Sequence, residues 1–224
     1  MTTRYQFRYG DAVPSDDAVA RWITVLAIAY NDILLAARHC IDSDCSEAES
    51  AYFFRLAAGH LIELVNDEGL LGAGVDQWPE VQEFVASLPP EVQDDMERLR
   101  VLRDSSSKLG KKLTKLRSKI FHYPHLHKSA TAKGRGEVDR ALDQKKDDTG
   151  QIEQGRTVSE GRYLFADDVL LEILSPTFGD LDDFMKEVRE IMLAFLRLAA
   201  AALDEYFGVT RAAHLQQVDG AVDA

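Results

Sequence analysis

The sequence predicts an all-α fold, an up-and-down helical bundle of about five to seven helices with one long polar insertion. Three observations carry this. Apolar residues recur at three- and four-residue spacing through most of the chain; Ala, Leu, Glu, Arg and Asp are plentiful while β-branched runs are scarce; and only six prolines occur in 224 residues. The 46% apolar content is that of a globular chain, and the length suffices to close a real core. The expectation is a single helical domain over 1–224, with a mobile polar insertion over 127–162 and a frayed tail over 210–224.

Asp16 and Asp17 can cap a first helix running to about Cys40, whose buried stripe is Val19, Trp22, Ile23, Leu26, Tyr30, Ile33, Leu34 and Ala37. Ser46 with Glu49 three residues on forms a capping box for a second helix, through Phe53, Leu56, Leu61, Leu64 and Val65 to near Gly69. Gly72, Gly74 and Pro79 mark a turn. A short helix around Val81–Leu88 ends at Pro89-Pro90, and another runs from Glu91 to about Arg103. A basic helix follows, with Leu109, Leu113, Leu116 and Ile120 on one narrow side. It ends near His122, because Pro124 biases Tyr123 away from helix. From His127 to Arg162 the chain is polar and glycine-rich, with too few apolar residues to pack and room for one short helix. Tyr163-Leu164-Phe165 reads as an extended piece, with a helix after Asp167. The last long helix runs from about Asp180 to Phe207. Its stripe of Leu181, Met185, Val188, Met192, Phe195, Ala199, Ala202 and Tyr206, widened by Phe184, Ile191 and Leu198, suits a bundle interior or a dimer seam.

The opening MTTRYQFRYGDAVPSDD has no apolar region of a secretory signal. The longest nearly apolar stretch, Ile191 to Leu203, is too short to span a bilayer and is broken by Arg197. A cytoplasmic chain without membrane attachment is expected, with Cys40 and Cys45 as reduced thiols. No repeat, glycine-rich phosphate loop or dinucleotide fingerprint occurs.

Charge is unevenly spread. From Arg98 to Arg135 there are twelve Lys or Arg and one acid, Asp104. In a chain of net charge −12, that block at +11 leaves the remainder at −23. A block of this size is an electrostatic footprint for an anionic partner, or a face that pairs with acids of the same fold. On an ideal helix Lys108, Lys111, Lys115 and Lys119 share one quadrant opposite the leucines, with His122 at its edge.

The basic helix ends in Leu116-Arg117-Ser118-Lys119-Ile120-Phe121-His122-Tyr123-Pro124, where four residues separate Arg117 from His122. Here the chain resembles the HEPN superfamily, all-helical domains whose nucleases carry Arg-x4–6-His on a late helix, and in wording its abortive-infection branch. The resemblance covers most of the chain in outline, and these positions in residue detail. It implies a metal-independent endoribonuclease with a phage-defence or toxin-like role, no cofactor, and a cognate antitoxin or partner protein. Arg117 and His122 would be its catalytic residues. Histidine supplies a base or acid near neutral pH, and arginine a fork of donors for the phosphate. Lys108, Lys111, Lys112, Lys115, Lys119, Ser118 and Tyr123 would bind the RNA. Five residues on, His122 points about 140° away from Arg117 on an ideal helix. The family solution is a homodimer with both motifs lining one cleft.

Alternatives stay open. Active members often carry Asn, Asp or His after the arginine; here stands Ser118, and the family includes inactive domains. A non-catalytic module binding RNA, nucleotide or a partner protein is therefore the rival, beside a structural helical protein whose basic residues pair with its own acids. A second Arg-x4-His match, Arg55 to His60, has the surroundings of a buried helix side, so His60 reads as a core histidine. His122, His125 and His127 lack a Cys, Asp or Glu to complete a ligand set, and no metal site is expected. The pairs Asp16-Asp17, Asp94-Asp95, Asp167-Asp168 and Asp182-Asp183 lie near expected helix starts and read as caps.

Overall fold

Asp17 begins the first long helix as expected, its Oδ1 accepting the backbone N–H of Ala20 at 3.0 Å. In the computed structural model, residues 4–41, 47–104, 106–120, 137–149 and 180–218 are described, with scattered positions between 166 and 176. The chain forms an all-α bundle. Its described helices are α1 (Tyr9–Ala12), α2 (Ala18–Ile41), α3 (Glu47–Val65), α4 (Ala73–Asp76), α5 (Pro79–Ser87), α6 (Pro90–Val101), α7 (Lys108–Ile120), α8 (Glu137–Gln144) and α9 (Leu181–Glu205). Five of these match expected helices within a few residues: α2, α5, α6, α7 and α9. The second expected helix stops earlier, at Val65.

The core follows the apolar stripes. Ile23, Leu26 and Ile33 of α2 meet Phe54, Ala57, Ala58 and Leu61 of α3, and Phe184, Val188, Phe195 and Leu198 of α9, in one buried cluster. Helix α9 also packs on α6, α3 on α7, and α5 on α2. Pro79 and Pro90 each occupy the first turn of their helices, where a missing N–H costs no hydrogen bond. Trp22 spans to the next layer, donating its Nε1–H to the Leu70 carbonyl at 3.1 Å and meeting Phe84 edge-on.

Two readings are corrected. The tail expected to fray from 210 is folded as far as Val218. Tyr206–Thr210 forms a π turn, Ala212–His214 a 3-10 turn, and β2 (Gln216–Val218) pairs antiparallel with β1 (Arg4–Gln6). A latch backs this pairing: the buried Tyr206 hydroxyl donates to the Ala12 carbonyl at 2.8 Å, and Arg211 donates to that hydroxyl and pairs with Asp17. Asp95 is not a cap. It lies inside α6, 5% exposed, and takes both Nε (2.8 Å) and an NH2 (2.7 Å) of Arg197 on α9. Asp180, by contrast, does cap α9, accepting from the Asp183 N–H.

By length and composition, Ala18–His39 of α2 would suffice to cross a membrane, so the longest apolar helix is not the 191–203 stretch. Its inner side is bundle core. The capping box at Ser46, both cysteine side chains, most of the 127–162 insertion, Tyr163–Phe165 and Asp167-Asp168 lie outside the described residues. Within the insertion, α8 is the described element.

Candidate nucleic-acid interface

Helix α7 is set by its start and by one close approach. Asp104 Oδ1 accepts the Ser106 N–H at 2.7 Å, and Ser107 Oγ caps the helix by accepting the Gly110 N–H at 3.1 Å. The Ser106 hydrogen bonds hold the Asp104 carboxyl below its ordinary range, with Lys111 adding to the effect. Gly110 is buried against the Leu102 carbonyl, so close that a Cβ there would overlap that oxygen. Leu113 and Leu116 are fully buried and Leu109 partly, as their spacing required.

The block of positive charge divides into two sets. At its start the arginines are engaged: Arg100 with Asp76 (3.0 Å), Arg103 with both Asp76 (3.0 Å) and Asp67 (3.3 Å), and Arg98 with Asp95 (3.9 Å). Hydrogen bonding to Asp76 raises the Arg103 guanidinium further still, so it stays charged throughout. This part of the block serves the fold. On α7 itself, Lys108, Lys111 and Lys115 share the exposed side, and among the described residues no carboxylate pairs with Lys108 or Lys111. Lys112 is half-buried, its ammonium 5.5 Å from the centre of the Phe184 ring.

Arg117 lies roughly 150° around α7 from that lysine side. It faces α3, where its Nε pairs with Glu63. Glu63 in turn accepts from Asn66 Nδ2 at 3.1 Å through its other oxygen. Both partners of the Arg117–Glu63 pair are about half-exposed. The carboxylate therefore holds the guanidinium by its inner nitrogen. Glu63 was not singled out by sequence. Its only signal was position: Arg103 and Arg117 meet α3 and its end through Glu63 and Asp67, one helical turn apart.

The structure thus groups Lys108, Lys111 and Lys115, and sets Lys112 and Arg117 on the two flanks of α7. Of Ser118 and Lys119 only the helical backbone is described; His122 and Tyr123 lie outside the described residues, as do His125 and His127. Among the described residues no three His, Cys, Asp or Glu gather as metal ligands. His60 is half-buried, not fully in the core. A cavity of about 430 Å³ opens between α4, α5 and α6, lined by Val75, Asp76, Gln82, Val85, Met96 and Arg100 among others, and holds none of the site residues expected from sequence. No family model, curated protein or solved structure matches the chain.

Proposed function

We propose that this protein binds RNA through the exposed lysine side of α7. The supporting observation is the contrast within the basic block: Arg98, Arg100, Arg103 and Arg117 form ion pairs with acids, while among the described residues Lys108 and Lys111 form none, in a chain with acid in excess. Lysines left uncovered in such a chain favour an external anion, and a row along a helix suits a phosphate backbone.

In the fuller reading the protein is a metal-independent endoribonuclease of phage-defence or toxin type, working as a cytoplasmic homodimer. The chemistry belongs to Arg117 and His122. His122 exchanges the proton of the attacking 2′-hydroxyl or of the leaving oxygen, and the terminal nitrogens of Arg117 stabilise the charge growing on phosphate. Glu63 keeps Arg117 in one orientation. Because Arg117 faces away from the lysines, the RNA bound along one α7 would meet the arginine of a second copy. A specific observation favours the rival, a binding module without catalysis or one that docks a partner protein: Glu63 neutralises part of the charge that Arg117 would offer a phosphate.

The test is incubation with mixed cellular RNA in EDTA, beside Arg117→Ala and His122→Ala. Cleavage leaving 2′,3′-cyclic phosphate ends, abolished in both variants, is expected of the nuclease. Binding without cleavage by any of the three leaves the module.

A further inference from the structure

The outer side of α2 is apolar and uncovered. Val25, Ile28 and Leu35 are 48, 58 and 56% exposed. With Arg21 and Asp32 they form one strip, Arg21-Val25-Ile28-Asp32-Leu35, spaced four, three, four and three residues apart. That is the spacing of a two-helix seam, not of a solvated surface. Only 28% of the apolar window Ala18–His39 is buried within the chain. At the Arg21 end stands Trp78, 44% exposed, with the Arg21 guanidinium 4.9 Å from its ring centre. Asp32, exposed at the other end, has no ion-pair partner among the described residues.

The charges select the occupant and its direction. We infer that a second copy of this chain packs its α2 antiparallel against this one, about a two-fold axis crossing between Val25 and Ile28. In that register Val25 meets Ile28 of the second copy, and Ile28 meets its Val25. Arg21 meets Asp32 of the second copy, and Asp32 its Arg21. Leu35 arrives beside the small Ala18, near Trp78. Each apolar residue of the strip gains an apolar neighbour, and each charge an opposite one. A parallel pairing would instead oppose Arg21 to Arg21 and Asp32 to Asp32, which is unfavourable. From Arg21 to Leu35 the seam is about 21 Å long. This gives the homodimer proposed above a surface, and depends on its RNA chemistry in no way.

Sedimentation equilibrium of the full chain at micromolar concentration tests it, with far-UV circular dichroism confirming the fold of each variant. A species of twice the 25.0 kDa chain mass is expected. Asp32→Arg and Arg21→Glu, each placing like charges together, should weaken association about tenfold or more. The combined variant, with both charges exchanged, should recover it; Ile28→Asp should be monomeric. A monomeric wild type, a dimer indifferent to Asp32→Arg, or a combined variant that stays monomeric would each overturn the pairing. So would a monomeric wild type that co-sediments with phosphatidylcholine–phosphatidylglycerol vesicles, which would assign the strip to a membrane. Oligonucleotide binding by the Asp32→Arg variant, read alongside, reports on α7 and separates failure of the seam from failure of the RNA site.

Discussion

Arg197 and Asp95 carry the clearest dependence on a single side chain. Asp95 is buried on α6 and its carboxylate is satisfied from α9, 102 residues away. Arg197→Ala removes both hydrogen bonds and leaves that carboxylate only the Arg98 guanidinium at 3.9 Å, and a loss of about 2 kcal/mol in urea unfolding is expected. Arg197→Lys should restore only part, since an ammonium cannot supply the two-nitrogen fork. In sequence Asp94-Asp95 is indistinguishable from the pairs that cap helices, and Arg197 looks like a break in an apolar run; only the packing of α6 on α9 joins them. Tyr206 gives a pH dependence. Burial raises its hydroxyl above the ordinary 10.0, outweighing the lowering by Arg211. The unfolded chain therefore loses this proton first as pH rises. The stabilisation is complete below about pH 10 and is lost as pH climbs through the raised value. Thermal melts of Tyr206→Phe should show a lower stability at neutral pH, by about 1 kcal/mol, and a weaker decline on the alkaline side than the wild type.

At the scale of elements, the helices were legible because their apolar residues keep the helical period over many turns. Most of the stripes of α2 and α9 lie in or against the core as spaced, Leu34 being outside it and the Leu181 side chain outside the described residues. What the pattern did not carry were elements set by distant partners: β1 and β2 are three residues each and pair across nearly the whole chain. The seating of α7 also depends on one such partner. Gly110→Ala puts a methyl group onto the Leu102 carbonyl, a backbone atom that cannot swing aside. A destabilisation of about 1–3 kcal/mol is expected, measured by chemical unfolding. RNA affinity should fall with it, because the lysines ride on this helix. The candidate site was half legible. Spacing alone put Lys108, Lys111 and Lys115 on one exposed side, but nothing in the sequence linked Arg117 to Glu63, which sits on another helix.

For the molecule as a whole, the decisive quantity is where the charge goes. A block of +11 within a chain of −12 has two physical outcomes, internal pairing or external binding; the arginines before α7 take the first, and the proposed function assigns the second to the lysines of α7. The arginines before α7 knit α4, α6 and the turn after α3 through Asp76 and Asp67, while Lys108, Lys111 and Lys115 of α7 remain on the surface. The measurement that tests this most directly is the salt dependence of binding to a fluorescein-labelled single-stranded RNA, by anisotropy, for wild type and the Lys108→Ala/Lys111→Ala variant. Binding that weakens steeply with salt is expected, with the slope of log K against log salt reduced by about 1.4 in the variant, one phosphate contact per lysine removed. No binding at physiological salt, or a slope unchanged by losing both lysines, would contradict an RNA site on α7.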